Sequence, residues 1–87
     1  MPTVWVPSLL RDLTAGQETV TVAGSTVREV IESLDRLHPG IQTRLCAGDA
    51  LRAGIAVAVD THFARLGLAE PVGASSEVHF LPAIAGG

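Results

Sequence analysis

The sequence predicts an α+β roll, a mixed sheet of four to five strands wrapped around one main helix. Three observations predict it. Four segments repeat large apolar residues at a period of two, two early in the chain and two late. Between them lies one segment, Val27 to Leu37, with apolar residues at helical spacing. The chain has 87 residues, 47% hydrophobic and 17% charged, enough for one small domain with a modest core and too apolar for a disordered chain.

The first alternating segment is Thr3-Val4-Trp5-Val6-Pro7, with Val4 and Val6 on one face and Thr3 and Trp5 on the other. Ser8 to Gln17 reads as a connection, with Gly16 as its left-handed turn residue. Glu18 to Val22 alternates again, Val20 and Val22 inward, so the pair predicts an antiparallel hairpin with a long loop. Thr26 to Glu29 fits a capping box, and Val27, Val30, Ile31, Leu34 and Leu37 then form one apolar stripe. Glu32 and Arg36 are spaced as an i,i+4 ion pair, and Pro39-Gly40 stops the helix. Ile41 to Arg52 has no regular pattern. Ile55, Val57 and Val59 mark a third strand, Asp60-Thr61-His62 a turn, Phe63 to Leu66 a short strand and Gly67 to Ser76 a loop. Glu77 to Leu81 is the last strand, with Val78 and Phe80 inward, and pairing is expected to fade at Pro82. Residues 1–82 therefore form the domain, and 83–87 are expected to be a flexible tail.

Charge and composition exclude several functions. The net charge is −3, from nine acidic residues and six arginines, with no lysine. The arginines, at positions 11, 28, 36, 44, 52 and 65, form no basic run, which argues against nucleic-acid binding. If the chain is ever joined to an amine, no side chain of its own supplies it; only its α-amino group could. One cysteine, Cys46, leaves no internal disulfide and no sign of an oxidising compartment. No signal-peptide pattern opens the chain, and the run Ala53–Val59 is too short to cross a bilayer. A cytoplasmic protein without a membrane partner is expected.

The chemistry points to the last two residues. Gly86-Gly87 would end a chain by chance in about 0.5% of cases, so the pair calls for an explanation. It follows a strand closed by a proline and an uncharged stretch, Ala83-Ile84-Ala85. Two glycines make the narrowest chain that can be threaded into a partner's active site. A carboxylate is a poor electrophile. Transfer to the α-phosphate of ATP makes an acyl-adenylate, and sulfur displacing AMP leaves a terminal thiocarboxylate. The Gly-Gly pair already stands at the end of the chain, so no trimming is expected to expose it.

The element order and the ending Val78-His79-Phe80-Leu81-Pro82-Ala83-Ile84-Ala85-Gly86-Gly87 resemble the ubiquitin-like sulfur carriers of the ThiS/MoaD family. Val6-Pro7-Ser8-Leu9-Leu10-Arg11 and Thr14-Ala15-Gly16-Gln17 resemble the longer members, including those of cysteine biosynthesis. The resemblance implies a β-grasp fold. It also implies a carrier, not an enzyme, with Gly87, preceded by Gly86, as the group adenylated by an E1-like enzyme and converted to the thiocarboxylate. No cofactor is bound on this view; ATP is consumed by the partner. The sulfur acceptor would be a cysteine-synthase-like enzyme, or the large subunit of molybdopterin synthase with this chain as the small one; thiazole synthesis ranks third. Family members often have an Asn-rich third strand and an Asp-Gly turn before the last strand, where this chain has Ala56, Ala58 and Asp60, and Ala74-Ser75-Ser76; Arg65 matches a family arginine. A protein modifier joined to lysines of other proteins, or a binding module with an inert tail, are the alternatives from other classes.

Alternation along the strands places Trp5, Thr21, His79 and Leu81 on the sheet face away from the helix. Trp5 there is a candidate docking centre, with His79, Leu81, Pro82, Ala83, Ile84 and Ala85 continuing toward the reactive end. The competing expectation is that Trp5 simply packs on its neighbours. His38, His62 and His79 fall on different elements without metal-ligand spacing, and Cys46 has no His or CxxC partner, so neither predicts a site.

Overall fold

The computed structural model describes residues 1–82. Its elements are β1 (Thr3–Trp5), β2 (Thr19–Thr21), α1 (Val27–Leu37), α2 (Ile41–Leu45), β3 (Cys46–Ala47), β4 (Ala50–Leu51), β5 (Ile55–Val59), β6 (His62–Phe63) and β7 (Glu77–Pro82), with single 3-10 turns at Ser8–Leu10 and Gly67–Ala69. Five strands form one sheet in the order β2-β1-β7-β5-β6, and β3 and β4 make a separate small hairpin. β1 runs parallel to β7, and the other pairs are antiparallel. This is the mixed sheet around one main helix that the alternation predicts. The expected tail, 83–87, lies outside the described residues.

Every apolar residue assigned inward on the strands is buried. Val4, Val6, Val20, Val22, Val57, Val59, Val78 and Phe80 pack against Val27, Val30, Ile31 and Leu34 of α1. Leu37 is a correction: it is exposed, because it sits at the edge of the stripe in the last turn, past the end of the core. The α1 cap also differs in detail from the expected box. Thr26 Oγ1 accepts from Glu29 N–H (3.2 Å), but the Glu29 carboxylate receives Ser25 N–H and Ser25 Oγ–H, both at 2.8 Å. Those bonds hold the Glu29 carboxyl below its usual range, the backbone one most. Arg36 donates to Ser33 Oγ (3.0 Å), and no Glu32–Arg36 pair forms among the described residues. An exposed i,i+4 pair is too weak to hold one geometry.

The patternless stretch Ile41–Arg52 has more order than its sequence signals. Gly40, at φ 104°, turns the chain into α2. Asp35 Oδ1, one helix earlier, accepts from Gly40 N–H (3.1 Å) and Gln42 N–H (3.0 Å). Ile41 and Leu45 are thereby seated in the core. Five residues are too few to display a 3.6-residue period, which is why the helix is illegible in the sequence. The β1–β2 connection is packed by Thr14, fully buried, whose hydroxyl donates to the Gln17 carbonyl oxygen (2.9 Å), and Gly16 takes the expected left-handed φ of 84°.

The turn after β5 is tighter than predicted. Val59 pairs with His62, so His62 belongs to β6, and the strand expected over Phe63–Leu66 reduces to His62–Phe63. Asp60 makes this turn possible. It takes φ 56°, a region Asp tolerates better than most side chains, and its carboxylate accepts from Glu77 N–H (3.0 Å) and Ser76 Oγ–H (2.9 Å). The turn is thus fastened to the start of β7. Pro82 extends β7 one residue beyond the predicted end and opposes Ile55, whereas pairing with β1 stops at His79.

The hydrogen bond from Glu77 N–H, and then that from Ser76, hold the Asp60 carboxyl below its usual value. A carboxyl whose folded pKa is depressed stabilises the fold above its unfolded pKa, about 3.9, and loses that contribution as pH falls through the lower folded value. Urea midpoints measured from pH 6 down to pH 2 are therefore expected to fall on acidification below about pH 4. Asp60→Asn, which keeps the turn conformation accessible, should shrink that fall while lowering the midpoint at pH 6.

Candidate functional site

The sheet has one face on the helix and one open. Register builds the open face: Trp5 lies opposite Thr19 and His79, His79 opposite Ala58, and Ala58 opposite Phe63. One row, Thr19–Trp5–His79–Ala58–Phe63, therefore crosses all five strands. Trp5 is 41% exposed and Phe63 66%. The Trp5 and His79 rings stack, with centroids 5.4 Å apart and planes 7° apart. Glu77, two residues along β7 on the same face, accepts from Trp5 Nε1–H (3.1 Å), and His79 Nε2 lies 3.5 Å from the same carboxylate oxygen. Trp5 thus packs on a neighbour and keeps an open edge.

Along β7 the character changes. Glu77 marks the polar end. Leu81, opposite Ala56 and 39% exposed, and then Pro82 mark the apolar end, where the chain passes into the predicted tail. Beside Pro82 lies a groove lined by Pro7, Leu9, Leu10, Ile55 and Leu81, with Arg44 on its wall. Ala83, Ile84, Ala85, Gly86 and Gly87, the residues on which the sequence concentrates the chemistry, lie outside the described residues. What the structure supplies is their starting point, at the end of a central strand between the open sheet face and this groove.

The weaker candidates do not converge. His38 follows α1, His62 is on β6 and His79 on β7, and no group of three metal-binding side chains occurs among the described residues. Cys46 is buried, and burial pushes its thiol up against the opposing pull of Arg28 and Arg52. A second concavity is lined by His62, Phe63, Arg65, Leu66 and Glu70. Its carboxylate, Glu70, accepts from Leu66 N–H (3.1 Å) and lies 3.4 Å from His62 Nε2. Its carboxyl is held low mainly by the Leu66 bond, which marks it as a fastening for the loop. Sequence reasoning missed Glu77, Phe63, Leu9 and Arg44. Only register joins Phe63 and Glu77 to Trp5, and only folding brings Arg44 beside Leu9. No helix among the described residues is long and apolar enough to cross a membrane.

A sheet with parallel terminal strands at its centre, one helix across one face and a chain end leaving the last strand is the β-grasp architecture of the ubiquitin-like proteins. The chain belongs to the ThiS family, whose model matches residues 4–87. It is 34% identical to sulfur carrier protein CysO of Mycobacterium tuberculosis over 90 aligned positions, covering 98% of this chain and 97% of the relative. Its fold matches a chain in the crystal structure of the Amycolatopsis orientalis BexX/CysO complex with a TM-score of 0.92 and 36% identity, each chain covered in full. Small archaeal modifier protein 1 of Haloferax volcanii is similar at a TM-score of 0.73 and 28% identity, covering 99% of this chain and 98% of that one.

Because Trp5 contributes its stack and half of its surface and not a core contact, Trp5→Ala should remain folded. Urea denaturation should show a loss of about 1 kcal/mol, the usual worth of an aromatic stack and partial burial. Val4→Ala, in the fully buried layer, should cost more.

Proposed function

We propose that this protein is a sulfur carrier whose Gly87 carboxylate is adenylated by an E1-like enzyme and converted to a thiocarboxylate. The observation that carries the reading is the ThiS family match, which runs to residue 87, joined to 34% identity over nearly the full length of a named sulfur carrier. In this reading the chain is a protein co-substrate. It holds no cofactor; ATP is consumed by the activating partner, and the thiocarboxylate sulfur passes to an acceptor enzyme of cysteine or related sulfur-metabolite synthesis in the cytoplasm. The sulfur carrier in the complex is similar at higher identity and TM-score than the archaeal modifier, which ranks sulfur transfer above protein conjugation.

The geometry supports a division of labour. Ala83-Ile84-Ala85 carries no charge into a partner's channel, and Gly86-Gly87 offers the narrowest backbone at its end. The open sheet face, with Trp5, His79, Leu81 and Pro82, is the docking surface. It lies on the strand from which the tail departs, so a partner that grips it sets where the tail enters. A partly exposed Trp stacked on His79 is the kind of anchor that dominates interface energies.

Incubation with ATP, an E1-like enzyme of the same cell and a sulfur source should add the mass difference of one oxygen replaced by sulfur, read by intact-mass spectrometry. Deletion of Gly87 should abolish the change. An unmodified product from an enzyme active on another carrier would overturn the reading. Trp5→Ala should weaken binding to the activating enzyme by about tenfold or more, the scale of an interface hot spot; unchanged affinity would remove the docking assignment and leave the carrier chemistry standing.

A further inference from the structure

Register sets a step in the open sheet face. Val57 and Val59 of β5 are buried, so Ala56 and Ala58 between them face outward, and each carries only a methyl group. On one side stand Leu81, opposite Ala56, and His79, opposite Ala58. On the other stands Phe63, also opposite Ala58 and largely exposed. A shallow trough therefore runs along β5, with an alanine floor between the side chains of β7 and the Phe63 ring. Its two floor positions lie about 6.7 Å apart, two residues of strand rise.

The trough has a polar end. Glu77 stands on the same face two residues before His79, with its side chain 57% exposed. Its carboxylate accepts from Trp5 Nε1–H, a neutral donor. The Asp60 carboxylate beside it is occupied by Ser76 Oγ–H and Glu77 N–H. Among the described residues the His79 imidazole is the one basic group within ion-pair distance of Glu77, and no arginine comes as near. The charges at the borders of the face are engaged elsewhere. Glu18 pairs with Arg11 (3.6 Å), and Arg65 lines the separate concavity with His62 and Glu70. The trough is thus uncharged along its floor and walls up to His79 and negative at its Glu77 end.

We propose that this trough takes an apolar ridge of the activating enzyme: two neighbouring apolar side chains seated over Ala56 and Ala58, with an arginine or lysine of the same segment against Glu77. The proposal rests on the docking reading above and adds the chemistry of the partner. Larger side chains at positions 56 and 58 would level the face; alanine leaves the room. The spacing of the floor suits side chains four residues apart on a helix, about 6 Å of rise, or two apart on a strand. Charge complementarity fixes the direction. A segment laid the other way would cover Glu77 with an apolar side chain, and a carboxylate buried without a partner charge is costly. Trp5, beyond His79 on the next strand, supplies the grip, while the trough and Glu77 set the register.

The test is binding of the full chain to the E1-like enzyme of the same cell at two salt concentrations. Ala58→Gln fills the trough with an uncharged side chain and leaves the core face untouched. It should weaken binding about tenfold at both salt concentrations, the scale of a lost interface anchor. Thr21→Gln, which adds bulk to the same face at its β2 edge, should leave the affinity unchanged. Glu77→Gln keeps an oxygen to accept from the Trp5 indole and removes only the charge. It should weaken binding about fivefold at about 0.05 M salt and hardly at all at about 1 M, where the screening length falls to about 3 Å. Misplacement of the indole alone would give no such dependence on salt. If Trp5→Ala weakens binding and Ala58→Gln does not, the proposal is overturned and the Trp5 docking stands. Glu77→Gln with the salt dependence of the unsubstituted chain would overturn it equally. If all three variants bind like the unsubstituted chain, or the unsubstituted chain does not bind, the docking reading falls with it. Sulfur loading, read by mass, decides the carrier chemistry separately.

Discussion

The parallel pairing of β1 with β7 is the constraint on which the rest of the molecule depends. It brings the first and last strands to the centre of the sheet, Val4 beside Val78 and Trp5 beside His79. Parallel neighbours cannot be joined by a tight turn, so everything between them must cross over, and the crossover carries α1 across the sheet. The helix is thereby laid over the two strands that most need covering, and Val4, Val30, Ile31, Leu34 and Val78 close into one core. A single pairing thus decides both where the core lies and where the C-terminal segment starts.

The same pairing gives the two sheet faces different work. Alternation sends Val4, Val78 and Phe80 inward, so Trp5, His79 and Leu81 must face out. The outward residues are tied to each other: the Trp5 ring lies on His79, and Glu77 accepts from the Trp5 indole. These contacts hold the aromatic face in one arrangement. The core therefore lies on one face of these strands and the Trp5–His79 stack on the other.

Much of this was legible from residue order. The inward valines, the Thr26 cap and the Gly16 turn follow from period, side-chain chemistry and conformational preference, and each occupies the place expected of it. The failures have physical causes. Leu37 continues the helical stripe but runs past the core, a matter of where the sheet ends. α2 is too short to be periodic and is organised by Asp35, a residue of the preceding helix. His62 enters a strand because Asp60 tolerates a left-handed backbone and is anchored to Ser76 and Glu77, far along the chain. The outward row was half legible: Trp5 and His79 could be assigned an outward face, but Phe63 joins them only through Ala58 in register.

By itself the sequence determined the class of fold, the inward face of β1, β2 and β7, and a lysine-free chain carrying Gly86-Gly87, because these depend on period and on which functional groups are present at all. Tertiary structure decided which residues share a surface. It set Glu77 under the Trp5–His79 stack, Phe63 at the end of the same row, and Arg44 against Leu9 at the root of the tail. These are contacts between positions distant in the chain, created by strand register and helix packing. No local pattern encodes them, because each arises only when one element is seated against another.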